Sequence, residues 1–135
     1  MRPSTSDNVE LARQGYVAFA RRDLTGVLSL LAPDFEWHGS NPDLPAGGVY
    51  RGTEAVAEGA FAAVAASWAS FETLPERYLD AGDQVVVTGR IRAEPRGGGD
   101  AVEVPFAHVW EFRDGNAARM QAFTDTATLK AALAG

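Results

Sequence analysis

Between Val9 and Phe19 apolar residues return at helical spacing, with Val9, Ala12, Tyr16 and Phe19 on one face, and Asp7 stands three residues ahead of Glu10 in the arrangement of a capping box. A first helix is expected over residues 8–21. Asp23 is a second capping residue, and Leu24, Val27, Leu28 and Leu31 repeat at helical spacing until Pro33, whose ring and missing N–H forbid continuation. A short second helix follows. Phe35-Glu36-Trp37-His38 alternates and is rich in aromatics, which favours a strand. From Gly39 to Gly52 the chain carries four Gly and two Pro, the composition of a loop. A third helix is expected from Thr53 as cap through Val56, Ala60, Phe61 and Val64.

After Ser67 the period changes from 3.6 to 2. Phe71 to Leu79, Gln84 to Glu94, Ala101 to Arg113 and Asn116 to Phe123 read as four strands, separated by Ala81-Gly82-Asp83, by Pro95 to Asp100 and by Asp114-Gly115. Short turns make neighbours antiparallel. A last helix is expected over Thr126 to Leu133. The hairpin at Asp114-Gly115 decides which side chains share a face. A two-residue turn pairs His108 with Gln121 and Trp110 with Arg119; a three-residue loop with Gly115 in the left-handed bulge position pairs His108 with Met120 and Trp110 with Ala118. Burial favours the second, which groups Phe106, His108, Trp110, Phe112, Ala118, Met120 and Ala122 on an apolar face and turns Glu111, Arg119 and Gln121 away. Two helices, a strand, a helix and a meander make an α+β domain with helices packed on a curved sheet.

The 135 residues carry 12 Lys and Arg against 18 Asp and Glu, a formal charge of −6. A chain of this size builds one core without disulfides or a structural metal, so a single domain over 1–135 is expected, with residues 1–6 flexible. Cysteine is absent, which removes a thiol nucleophile, thiol redox chemistry and thiolate metal sites. The longest apolar run, Ala60 to Ala66, is far short of a membrane span, and Met1 to Asp7 lacks the apolar run of a secretory leader. The expectation is a cytoplasmic protein with no membrane partner. Acidic charge and scattered cations argue against nucleic acid.

Ala32-Pro33-Asp34-Phe35-Glu36-Trp37 after a helical pair, then Tyr50-Arg51-Gly52-Thr53-Glu54-Ala55-Val56, His108-Val109-Trp110-Glu111-Phe112-Arg113-Asp114-Gly115 and Phe123-Thr124-Asp125-Thr126 form an ordered set of motifs. In these the chain resembles the SnoaL-like group of the nuclear transport factor 2-like superfamily, which also holds ketosteroid isomerase, over Val9 to Leu133. The resemblance implies a cone: a bent, mixed sheet wrapped around three helices, an apolar pocket inside, and frequently a homodimer through the outer sheet face. The group includes polyketide cyclases, isomerases, hydrolases, dehydratases and proteins that only bind, so fold does not fix function.

His108 is the titratable group among the aromatics of the inner face, able to exchange a proton near neutrality; the bland alternative is a core histidine satisfied by neighbours. Its place resembles that of the acid donating to the oxyanion in ketosteroid isomerase. Asp125 matches the acid/base aspartate of SnoaL-like cyclases, a role that needs an apolar pocket to raise its pKa. Its alternative is to cap the last helix. The ketosteroid isomerase base falls at Gly39 and is missing, and the helix-1 tyrosine of that enzyme falls near Gly15, one residue before Tyr16. Tyr16 also suits ordinary core packing. Trp37 is the better pocket residue of the pair Trp37 and His38, with His38 at the rim or exposed. Asn41, Tyr50 and Arg51 border the Gly-rich loop, where Arg51 fixes the loop to the following helix. Gly47-Gly48 and Gly97-Gly98-Gly99 lack the context of a phosphate loop, the two histidines make no convincing metal site, and no serine sits in a nucleophile elbow.

The expected function is cofactor-independent acid/base chemistry next to a carbonyl by His108 and Asp125: cyclisation, isomerisation, hydration or dehydration. The substrate is a small hydrophobic molecule, aromatic or polyketide-like, held by Tyr16, Trp37, Tyr50, Phe106, Trp110 and Met120. The alternative is a binding protein without turnover, which the missing base at Gly39 favours. A third is an oligomerisation scaffold using the outer sheet face.

Overall fold

The computed structural model describes residues 5–134, so the expected flexible segment 1–6 falls largely outside the described residues. Helix α1 spans Thr5–Ala20. It starts before the expected Asn8, and Asp7 therefore stands inside the first turn, where its charge faces the positive end of the helix dipole. The helix ends in a Schellman turn: Asp23 N–H donates to Ala18 O at 2.9 Å and Arg22 N–H to Phe19 O at 3.0 Å. Asp23 then caps α2 (Leu24–Ser29), accepting from Gly26 N–H at 2.9 Å. Strand β1, Leu31–His38, begins earlier than expected and contains Pro33. The proline is tolerated because it falls between Leu31 and Glu36, where the pairing with β6 shifts and no ladder N–H is needed.

Inside the segment expected to be all loop lies a short strand, β2 (Val49–Arg51), paired antiparallel to β1 on the sheet edge. Helix α3 covers residues 53–67. Gly52, at φ 89°, is its N-cap in place of the expected Thr53. The helix opens into a π-helical stretch over Val56–Phe61 and closes as an α-helix over Ala62–Ser67. The meander β3 (Trp68–Ala81), β4 (Gln84–Pro95), β5 (Val102–Arg113) and β6 (Asn116–Thr124) and helix α4 (Thr126–Ala134) complete the chain. The six strands run in the order β2-β1-β6-β5-β4-β3, antiparallel except for the parallel pair β1 and β6. This is the mixed α+β architecture expected. Among the described residues no helix is long and apolar enough to cross a membrane.

The β5–β6 hairpin follows neither expected register. Asp114 (φ 53°) and Gly115 (φ 82°) form a two-residue turn that pairs Arg113 with Asn116 and Phe112 with Ala117. A bulge at Ala118 then shifts the ladder by one residue, so Glu111 faces Arg119, Trp110 faces Met120 and His108 faces Ala122. The bulge restores an apolar inner face after a turn that alone would have put Arg119 opposite Trp110. Ala117 replaces Ala118 on that face.

Val85, Val87, Ile91 and Ala93 of β4, Val104, Phe106 and Phe112 of β5 and Phe35 of β1 form the buried side of the sheet, covered by Ala12 and Tyr16 of α1, Val56 and Ala60 of α3 and Leu129 of α4. The ladder of β3 on β4 shifts register between Pro75 and Arg77, and Gly89 stands opposite Pro75. A Cβ on Gly89 would come within 2.1 Å of Leu74 O. Gly89→Ala is expected to cost about 2–4 kcal/mol in urea denaturation, because backbone must move. Gly97→Ala, which meets nothing within 4 Å, is expected to change stability by less than about 0.5 kcal/mol.

Candidate functional site

Helices α1 and α3, the inner sheet face and the 39–47 loop enclose a cavity of about 140 Å³ whose lining is overwhelmingly apolar. The loop is tightly folded. Gly39 N–H donates to Gly48 O at 2.7 Å, Gly47 N–H to Leu44 O at 2.9 Å, and Trp37 Nε1–H to Ala46 O at 2.8 Å. Leu44 and Ala46 are thereby buried against the cavity. The same folding leaves no room for a side chain at Gly39, where the resemblance to ketosteroid isomerase implied its base: a Cβ there would lie 2.2 Å from Ala46 O. Gly47 is constrained likewise, 1.6 Å from Asn41 O. No side chain fits where that base would stand.

His108 is the titratable histidine in this lining, with Tyr16 and Trp110 beside it. Trp110 Nε1–H donates to the Tyr16 hydroxyl oxygen at 2.9 Å, and that hydroxyl lies 2.6 Å from His108 Nδ1. An indole N–H only donates, so the tyrosine spends an oxygen lone pair on Trp110 and has its own proton to give. If Nδ1 carried the hydrogen, the Tyr16 O–H would be left buried without an acceptor. The arrangement therefore fixes the hydroxyl as donor to Nδ1 and the imidazole as the Nε2–H tautomer. No fully buried side-chain nitrogen or oxygen lacks a partner among the described residues. Nε2, which has no partner among the described residues, therefore keeps open surface, and His108 borders the cavity.

Burial sets the charge states. Desolvation pushes the His108 pKa down to about 3, so the ring is neutral near physiological pH. Desolvation raises the Tyr16 phenol, with the Trp110 hydrogen bond opposing it in part. Neutral His108 thus keeps one N–H donor without a protein partner among the described residues, on a residue that lines a largely apolar cavity. Its ring is held from behind by Phe106, 4.3 Å between centroids, and lies nearly parallel to Tyr16 at 11°.

Of the residues expected to bind substrate, Tyr16, Trp37, Trp110 and Met120 line the cavity. Phe106 does not; it is buried behind the His108 and Tyr16 rings. Tyr50 does not either: its ring lies over Gly59 of α3, where a Cβ would come within 2.5 Å of it. Asp125 is exposed at the start of α4, outside the cavity lining. Its carboxylate accepts from Thr128 Oγ1 at 2.6 Å and from Thr128 N–H at 3.1 Å. These bonds, the hydroxyl first, hold its pKa below the usual aspartate value, opposite to the raised pKa that an acid/base role requires. His38 points to the other sheet face and pairs with Glu36 at 2.9 Å, which lowers the Glu36 pKa chiefly through that hydrogen bond. Arg51 is 74% exposed and stands 3.8 Å from the same glutamate, joining β2 to β1 rather than to α3. Asn41 Oδ1 accepts from Asp43 N–H within the loop.

Phe19, Phe61, Phe71 and Phe112 also line the cavity. Phe19 and Phe61 are 5.7 Å apart and Phe61 stands edge-on to Trp37 at 5.5 Å. Their helical or strand spacing signalled burial, but core and cavity wall look alike in a pattern of apolar positions. Among the described residues no group of three His, Asp or Glu is placed to hold a metal ion.

The family profile of the SnoaL-like domain matches residues 12–120. Among solved structures, an NTF2-like protein of unknown function from Burkholderia pseudomallei K96243 superimposes with a TM-score of 0.87 at 32% identity, covering 96% of this chain and 98% of that one. TerC, co-crystallised with polyporic acid, superimposes at 0.88 with 29% identity over 96% and 99% of the two chains. A protein described as a SnoaL-like polyketide cyclase, from Jannaschia sp. CCS1, shares the fold, with a TM-score of 0.80 and 21% identity over 100% and 96% of the two chains. A search of curated proteins returned no significant match. With four fifths of its length inside the profile and its whole fold shared with these relatives, the chain belongs to the SnoaL-like domain family.

Proposed function

We propose that this protein encloses a small, largely apolar carbonyl compound, aromatic or polyketide-like, and polarises its carbonyl oxygen through the Nε2–H of His108. The carrying observation is the bond between Tyr16 and His108 Nδ1 at 2.6 Å, which leaves Nε2–H as the donor available to a ligand on a residue that lines the cavity. A single donor aimed at a developing enolate in a water-poor site is worth about 3 kcal/mol, without a cofactor. TerC, at 29% identity, was co-crystallised with polyporic acid, which supports a small-molecule ligand here. Chemistry next to the carbonyl would be cyclisation, isomerisation, or hydration or dehydration. Asp125 is assigned the helix cap and no proton transfer.

The second reading, binding without turnover, is favoured by one specific observation: among the described residues no Asp or Glu lines the cavity to serve as a carboxylate base beside the His108 donor. The two readings separate with 2-acetylnaphthalene as probe. Both predict a carbonyl infrared band at lower frequency when bound, and loss of that shift with retained binding in His108→Phe. Only the catalytic reading predicts faster exchange of the acetyl protons with deuterated water. Binding without any band shift would remove His108 from the site.

The neutral state of His108 has its own signature. Its folded pKa of about 3 lies below the unfolded value of about 6.5. As pH falls below about 6.5 the unfolded chain binds a proton that the folded chain refuses, so stability is lost progressively toward pH 3, by up to about 1.4 kcal/mol per pH unit. Urea titrations of the wild type and His108→Gln from about pH 8 to pH 4 are expected to diverge in that direction.

We also propose a homodimer through the outer sheet face. Phe123 is 48% exposed there, with Leu74 and Leu79 at 40% and 39%. Their ladder partners Ala107, Arg90 and Val86 lie on the same side of the sheet. Light scattering is expected to give twice the chain mass, and Phe123→Asp to return the monomer.

A further inference from the structure

A second cavity, of about 400 Å³, adjoins the first, and Phe19, Phe61, Val64, Trp68 and Phe71 serve as wall to both. Its charge is opposite in sign to that of the chain. The protein has 18 acidic and 12 basic side chains, yet among the described residues this wall contains Arg22 and Arg96 and no Asp or Glu.

Neither arginine has a carboxylate partner among the described residues. Arg96 Nε–H donates to Ala65 O at 2.8 Å and its backbone N–H to Ser67 O at 3.2 Å, which ties the guanidinium to the end of α3. No partner among the described residues takes its terminal amino groups. Arg22 occupies the left-handed position of the Schellman turn, φ 61°, where glycine is the unstrained choice. A residue kept in a disfavoured conformation beside a cavity points to a use for its side chain. The nearby acids are engaged: Asp23 caps α2 through Gly26, and Glu94 accepts from Ser70 Oγ at 3.3 Å.

We infer that this second cavity is a carboxylate subsite for the ligand of the first, so that the ligand is an amphipathic aromatic or polyketide-like acid. The apolar body lies in the inner cavity, and the carboxylate meets the planar donor forks of Arg22 and Arg96, whose geometry suits two carboxylate oxygens. The inference rests on the reading of the first cavity as the ligand site.

The test uses 6-acetyl-2-naphthoate and its methyl ester, which share a ketone for His108 and differ in the charge at the other end. Calorimetry is expected to show the acid binding about tenfold more tightly than the ester at low salt, with the advantage shrinking as salt is raised. Arg22→Gly and Arg96→Gln are each expected to weaken the acid about three- to tenfold and leave the ester unchanged. Arg22→Gly is the decisive variant, because glycine suits the left-handed position and the fold is retained. If Arg22 serves only the negative end of α1, that variant lowers the unfolding temperature and leaves the ratio of acid to ester unchanged, and the subsite is refuted while the inner cavity reading stands. If the acid depends on both arginines but its ketone band does not respond to His108→Phe, the subsite stands and the His108 reading falls. Failure of both compounds to bind at millimolar concentration overturns both.

Discussion

The hydrogen bond from the Tyr16 hydroxyl to His108 Nδ1 is the constraint on which the site depends. Tyr16, His108 and Trp110 stand together in a largely apolar cavity, and each buried polar group is costly without a partner. Trp110 donates to Tyr16, Tyr16 donates to His108, and the chain ends with one unspent donor. Each step leaves the next group a single role. Desolvation keeps the imidazole uncharged, and the tyrosine selects its tautomer, so the cavity holds a fixed dipole rather than a titrating group near neutrality.

Two backbone irregularities make that arrangement possible. The bulge at Ala118 places Met120 rather than Arg119 opposite Trp110, keeping charge out of the inner face. At the other end of the cavity, Gly39 and Gly47 let the loop close until no Cβ would fit, and Trp37 anchors it through Ala46 O. The closeness that shapes the pocket also removes the position of a base. Among the described residues His108 is the titratable histidine of the inner lining, while Arg22 and Arg96 line the neighbouring chamber.

The element order, the four-strand meander and the family were legible in the chain, since alternation, capping residues and turn glycines act over a few neighbours. Trp37 facing in and His38 facing out followed from alternation and burial. The placements of Tyr50 and Phe106 were not legible: each is an aromatic at a plausible position, and only packing against Gly59 or behind His108 excludes it from the cavity wall. The strand β2 was hidden because its three residues pair with β1 across a glycine-rich stretch, a long-range cause with no local pattern. Asp125 carried two readings in the sequence, and the geometry around Thr128 is that of a cap.

By itself the sequence determined the absence of thiol chemistry, the helix and strand periods, the α+β class and the presence of one histidine among inner-face aromatics. Only the tertiary structure decided which way that histidine is protonated, because Tyr16 reaches it from 92 residues away and Trp110 donates in turn to the Tyr16 oxygen. It alone decided the hairpin register, since a bulge costs one residue and inverts every side chain beyond it. Local chemistry selects elements; burial, which sums over contacts distant in the chain, selects which groups stay polar, neutral and exposed to a cavity.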